Sequence, residues 1–159
     1  MGTVLTTGGL GFVGSHTCIE LLNAGYNVLI IDSLSNSLIE TLYNIKKILS
    51  LDDDKKKGDI YFREGDLRDK KWLDNIFNEF KIKGNEIYSV IHLAGLKAVA
   101  ESINNPIDYW SGNVSSSITL LKTMQKYNCQ TIVFSSSATI YGINHNELRI
   151  TENSKIGPI

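Results

Sequence analysis

A surplus of charge of either sign is missing from this sequence. Among 159 residues, 16 Lys and Arg stand against 17 Asp and Glu, for a formal net charge of −1. The basic excess that phosphate-backbone binding requires is therefore absent, and no nucleic-acid partner is expected. Cysteine is scarce as well. Cys18 and Cys129 lie far apart and form no CxxC pair, usage that suits a reduced, cytoplasmic interior. The histidines His16, His92 and His145 show no metal-ligand spacing, so no metal is expected. His92, at a strand end, reads as a satisfied core residue. No apolar run approaches the ~18 residues of a membrane span. The opening residues lack a basic region followed by an apolar stretch, although Met1-Gly2 with Thr6 fits the loose myristoylation pattern. Because residues 3–6 read as a buried first strand, neither lipidation nor membrane attachment is expected. Internal repeats and linkers are also missing.

What is present is a hydrophobic fraction of 42%, ordinary for a globular domain able to bury a core. Short apolar runs alternate with amphipathic stretches. Residues 4–7 read as a strand running into a glycine loop, and a helix opens near Phe12 and closes at Gly25, with Cys18, Leu21 and Leu22 on one face. Residues 28–31 are continuously apolar, as a strand covered on both faces should be. Leu38, Leu42, Ile45 and Leu49 predict a second helix, followed by an acidic-then-basic run at 52–57 that reads as a solvated loop. Residues 60–62 predict a third strand, Trp72, Leu73, Ile76, Phe77 and Phe80 a third helix, and residues 88–93 a fourth strand. Ile107, Trp110, Val114, Leu121 and Met124 predict one long fourth helix with Pro106 in its first turn. Residues 131–134 form a fifth strand ending in Ser135-Ser136-Ser137. Repeated strand–helix units require parallel strands with right-handed crossovers. The expected fold is α/β, a doubly wound parallel sheet in the order 3-2-1-4-5.

Gly8-Gly9-Leu10-Gly11-Phe12-Val13-Gly14 satisfies G-x-G-x-x-G at Gly9, Gly11 and Gly14, and G-x-x-G-x-x-G at Gly8, Gly11 and Gly14. Glycines permit the tight turn, let backbone approach a pyrophosphate, and aim a helix N-terminus at the anion. The context fits, with a strand before, an amphipathic helix after and a second strand beyond. That second strand ends in Asp32, 24 residues after Gly8. A carboxylate there accepts from the adenosine ribose hydroxyls and repels a 2′-phosphate, favouring NAD over NADP. The plainer alternative is a strand-end Asp capping the next helix.

Residues 7–16 (TGGLGFVGSH), 92–102 (HLAGLKAVAES) and 134–142 (FSSSATIYG) together resemble the UDP-glucose 4-epimerases, extended short-chain dehydrogenase/reductases with a Rossmann-type domain. Sister dehydratases usually carry Thr-Asp-Glu after the fifth strand, where this chain has Ser137-Ala138-Thr139. The resemblance implies an isomerase of galactose metabolism that interconverts UDP-glucose and UDP-galactose. It does so by C4 oxidation, rotation of the 4-keto sugar and re-reduction, with NAD regenerated each turnover. It further implies that Phe12 and Val13 lie against the pyrophosphate and that Asp32, Ser33, Leu34, Ser35, Asn36 and Ser37 line the ribose. Asp66 would accept from the adenine amino group beside Leu67. Leu93, Ala94, Gly95, Leu96 and Lys97 would run under the cofactor, unless Lys97 is only a solvated loop lysine. Asn113 would serve structurally. Ser137 would be the catalytic residue bonding the sugar 4-oxygen, with Ala138 and Thr139 facing the sugar; otherwise it is a small residue ending a strand. A UDP-hexose partner and a homodimer of the full-length protein follow from the same resemblance.

The family's Tyr-x-x-x-Lys is expected about 25 residues after that serine, and residues 137–159 do not contain it. Tyr43 with Lys47 has the spacing but lies far upstream, in the second helix. The chain therefore reads as an amino-terminal fragment, an incomplete NAD-binding domain over residues 1–159, without its last strand and carboxy-terminal sugar-nucleotide domain, and inactive alone. Another NAD-dependent nucleotide-sugar epimerase and a non-catalytic dinucleotide-binding regulatory module are the alternatives.

Overall fold

The structure is a computed structural model describing residues 2–50, 57–141 and 149–157. Met1, most of the acidic-then-basic run and His145 lie outside the described residues. Five strands, β1 (Thr3–Thr7), β2 (Asn27–Asp32), β3 (Ile60–Glu64), β4 (Ile87–His92) and β5 (Thr131–Phe134), alternate with helices. All are parallel, in the order β3-β2-β1-β4-β5, as the strand–helix alternation requires. Strand order reverses between β1 and β4, so the carboxyl ends of those two strands flank the crevice where such sheets bind ligands.

Alternating side chains of β2 feed two cores. Val28 and Ile30 pack with Cys18 and Leu22 of α1 (Phe12–Asn23) and with Leu42 and Ile45 of α2 (Glu40–Ser50). Leu29 and Ile31 face the other way, onto Leu73, Ile76, Phe77 and Phe80 of α3 (Lys70–Ile82). Burial on both faces is why β2 reads as an unbroken apolar run. Asp69 caps α3, accepting from Trp72 N–H at 2.9 Å, and Gly25 ends the α1 turn at φ 87°.

Two expectations are corrected. Leu38 lies outside α2 and is exposed, while Ile39 packs on the core instead. A short helix, α4 (Val99–Asn104), comes unannounced, and the long fourth helix expected from Pro106 is α5 (Pro106–Trp110) and α6 (Ser116–Lys126) joined by a π-helical turn over Ser111–Ser115. That turn adds a residue and shifts the helical phase. Ile107, Trp110 and Leu121 face out, Trp110 at 68% exposure, and Val114 is half-buried. The buried side of α6 is Ser116, Leu120, Thr123 and Met124. Ser116 and Thr123 can be buried because their hydroxyls donate to the carbonyls of Gly112 and Thr119 one turn back.

Candidate functional site

The carboxyl ends of the strands open into a cleft of about 990 Å³. Gly8, at φ 65°, turns the chain out of β1. Gly11 precedes α1 in extended conformation (φ −69°, ψ 174°). A Cβ at Gly14 would sit 2.2 Å from the Gly8 carbonyl, whereas one at Gly11 would meet only that carbonyl, at 3.3 Å. Gly14 therefore serves close packing of loop on helix, and Gly11 leaves open space in the cleft. The first N–H groups of α1, at Phe12, Val13 and Gly14, have no intrahelical acceptor. Phe12 and Val13 line the cleft with exposed side chains, the Phe12 ring edge-on to His16 at 5.2 Å. An N-terminus with such an open approach can accommodate an anion, because its free N–H groups and helix dipole favour negative charge.

Asp32 is only 6% exposed. Its Oδ2 accepts from Leu10 N–H at 2.9 Å. Its Oδ1 accepts from Leu34 N–H at 3.0 Å and from the Ser37 hydroxyl at 2.7 Å. The carboxylate thus ties the glycine loop to the turn after β2. Two oxygens offer about four acceptor positions, so roughly one remains toward the cleft. Leu34 and Ser37 do not line the cleft. Leu34, held at φ 55°, packs on the α1–α2 core, and Ser37 is turned onto Asp32. Ser33, Ser35 and Asn36 do line it.

At the far end lie Asp66 and Leu67. Asp66 pairs with Arg68 at 2.6 Å, and those guanidinium hydrogen bonds hold its carboxyl below the usual range. Arg68 also reaches Ser111 at 3.3 Å, bridging to the π-turn. The opposite wall is the segment Leu93, Ala94, Gly95, Leu96 and Lys97. Asn113 sits behind it: its side-chain carbonyl accepts from Leu96 N–H at 2.7 Å, and its amide donates to Leu96 O at 2.9 Å. Beneath the glycine loop Cys18 is buried, and burial chiefly, with Asp32 nearby, pushes its thiol up to about 12. Cys129 is likewise free and buried.

Ser137 lies apart from the cleft lining, exposed, its hydroxyl 2.6 Å from that of Thr139 and accepting from Thr139 N–H at 3.2 Å. Ala138 and Thr139 begin a 3₁₀ turn over Ala138–Tyr141. Ser135, two residues earlier, does line the cleft. So do Glu64, Gly65, Arg68, Asp108, Gly112 and Ser116, which sequence reading left unassigned. For Gly65 and Gly112 the signal was the glycine itself: a Cβ would meet the Trp72 indole at 2.3 Å and Leu96 Cδ1 at 2.9 Å. Asp108 and Ser116 carry no such signal and reach the cleft from α5 and from the first position of α6. A smaller hollow of about 460 Å³ beside Gly2, Glu86 and Tyr88 lies at the strands' amino ends, away from this chemistry. Among the described residues no helix is long and apolar enough to cross a membrane.

A family model described as GDP-mannose 4,6 dehydratase matches residues 5–159. The chain belongs to that family. Within the GDP-mannose 4,6 dehydratase family its similar relatives are epimerases, in keeping with the absence of Thr-Asp-Glu after β5. It is 45% identical to a UDP-glucose 4-epimerase of Bacillus subtilis over 97% of this chain and 42% of that protein. It is 47% identical to one of Schizosaccharomyces pombe over 89% of this chain and 36% of that protein. Among solved structures, the UDP-glucose 4-epimerase of Bifidobacterium longum in complex with NAD+ and UDP superposes with a TM-score of 0.84. The two are 44% identical over 98% of this chain and 42% of that one. The chain spans about two fifths of the length of the relatives it matches.

Proposed function

We propose that this chain is the NAD-binding part of a UDP-glucose 4-epimerase that interconverts UDP-glucose and UDP-galactose. The observation that carries the reading is the meeting, in one cleft, of a glycine-cradled helix N-terminus and the buried Asp32 carboxylate. When bound, NAD supplies a reversible hydride acceptor for C4 of the sugar. The chain's own residues bind and orient. Backbone N–H groups at Phe12 and Val13 face the pyrophosphate over Gly8, Gly11 and Gly14. Asp32 accepts from the ribose, with Ser33, Ser35 and Asn36 beside it, while Leu34 and Ser37 hold it in place. Asp66 shares its carboxylate between Arg68 and the adenine amino group, with Leu67 alongside. Residues 93–97, braced by Asn113, form the floor, and Lys97 adds positive charge. Ser137 positions the sugar 4-hydroxyl, with Ala138 and Thr139 against the sugar. Residues 1–159 form an incomplete dinucleotide-binding domain, whose sugar-nucleotide domain lies outside them.

The same reading includes a homodimer of the full-length protein, supported by Ile107 and Trp110 on α5 and Ile118 and Leu121 on α6, all large, apolar and exposed. A reducing cytoplasm is supported by the two free buried thiols. The near-neutral charge favours neither nucleic acid nor an anionic membrane surface as partner. Titration of the purified chain with NAD and NADP tests the cofactor assignment: NAD binds more tightly, and NADP binding equally well or better overturns it. The reaction itself is tested in full-length protein by interconversion of the two UDP-sugars. There Ser137→Ala lowers kcat by roughly 10²–10⁴-fold with NAD content retained, with Ser136→Ala as the control.

A further inference from the structure

The floor of the cleft is held by hydrogen bonds whose directions can be assigned atom by atom. At one end the Ser117 hydroxyl lies 2.5 Å from the Asn113 carbonyl. A carbonyl only accepts, so the hydroxyl proton points there. The same oxygen lies 2.9 Å from His92 Nε2 and must accept from it. At the other end Ala94 N–H donates to Thr7 Oγ1 at 3.3 Å, and Thr7 Oγ1 lies 2.6 Å from His92 Nδ1. Thr7 is fully buried, and its hydroxyl proton has no other acceptor among the described residues. Both ends require one species: a neutral imidazole with its proton on Nε2.

We propose that His92, in that tautomer, is a positioning residue for the cofactor floor. Neutral, it holds residues 93–97 against the glycine loop; protonated, it releases them. The contact it secures is backbone on backbone, since a Cβ at Gly8 would lie 2.8 Å from both Cα and N of Ala94. A proton added at Nδ1 points at Thr7 Oγ1 and turns the Thr7 hydroxyl proton away from its acceptor, into a fully buried place that offers no other acceptor among the described residues. The groups facing the ring, Thr7 from β1, Ser117 from α6 and Phe134 of β5 at 5.4 Å, carry no charge to stabilise an imidazolium. Burial accordingly holds the imidazole below its ordinary pKa. His92 thereby couples α6, through Thr7, to the loop that Asn113 braces from its other side.

For its bearing on NAD this proposal rests on the cofactor reading above, yet its chemistry is read without NAD. Long-range ¹H–¹⁵N correlation of the His92 ring in the 159-residue chain reports the tautomer; a proton on Nδ1, or on both nitrogens, at neutral pH overturns the proposal. Hydrogen exchange, expressed as protection factors against the core amides of Leu29 and Val90, reports the floor. Protection of Ala94 and Leu96 falls on the order of tenfold as pH drops through the His92 titration, with the core unchanged. His92→Asn keeps an acceptor toward Thr7 but cannot titrate, and it abolishes that fall while keeping the floor protected. A floor whose protection is flat with pH in the unaltered chain, or one that falls equally in His92→Asn, overturns the proposal. NAD affinity of the unaltered chain follows the same pH curve. A chain that binds no NAD at any pH defeats the cofactor reading and leaves the tautomer and exchange results standing.

Discussion

Gly11 and Gly14 look alike in the motif, yet they obey different constraints. The added Cβ of Gly14→Ala collides with the Gly8 carbonyl at 2.2 Å, so that variant loses stability by disrupting the loop–helix contact, read as a lowered urea midpoint. Gly11→Val meets only the same carbonyl, at 3.3 Å, and keeps the fold by circular dichroism. Its branched side chain fills the cleft, so NAD binding is lost; unchanged NAD affinity removes the pyrophosphate from this position. Asp32 stands between these cases. The motif marked it as a ribose acceptor, but its three protein donors were invisible because the partners come from two loops. Asp32→Ala weakens NAD binding by roughly 1–3 kcal/mol, and it also loosens both loops, seen as faster exchange at Leu10 and Leu34. Exchange unchanged at both amides makes the carboxylate a ribose ligand alone.

At the level of elements, legibility followed burial. Helix α3 was readable because Leu73, Ile76, Phe77 and Phe80 recur at helical spacing and face one core. Phe80 is almost fully buried and meets the Tyr61 ring edge-on at 5.2 Å. Phe80→Ala therefore costs about 3–5 kcal/mol, measured by urea denaturation; a loss below about 1 kcal/mol means the site collapses around the gap. The α5–α6 region misled because most of its large apolar residues point out and its buried positions are partly hydroxylic. Periodicity reports where hydrophobic side chains recur, and it cannot tell a core from an interface. If Ile118 and Leu121 form the dimer face, their replacement by Glu in full-length protein yields monomers in sedimentation, while NAD content remains. A dimer unaffected by both changes places the interface elsewhere.

The whole molecule integrates its titrations. His92 resists protonation when folded, so as pH falls below the ordinary imidazole value of 6.5 the unfolded state takes up the proton first. Stability is complete above that value and declines between it and the lower folded one. A separate decline follows at more acidic pH. Asp66 and Asp74, ordinarily near 3.8, and Glu79, ordinarily near 4.5, are held lower by Arg68, Lys126 and Arg63 respectively. Their stabilisation is present above those ordinary values and is lost as pH falls through the folded ones. Denaturation midpoints across this range show both limbs, and His92→Asn removes only the upper one. An unaltered upper limb in that variant assigns it to another group.

Composition, alternation and the glycine motif determined the sheet, its strand order and the position of the cleft, because local periodicity and right-handed crossovers leave few ways to arrange such a chain. They marked Gly8, Gly11 and Gly14, which answer a demand made within a few residues, and Asp32, which the strand–helix–strand spacing places at the end of the next strand. Only the tertiary structure decided which way α5 and α6 face, why Leu34 and Ser37 stand behind Asp32, and what His92 does. The last depends on Thr7, Ala94 and Ser117, up to 85 residues from it in sequence. Such hydrogen-bond chains carry no periodicity and no compositional trace, so they exist only once the sheet has brought its strand ends together.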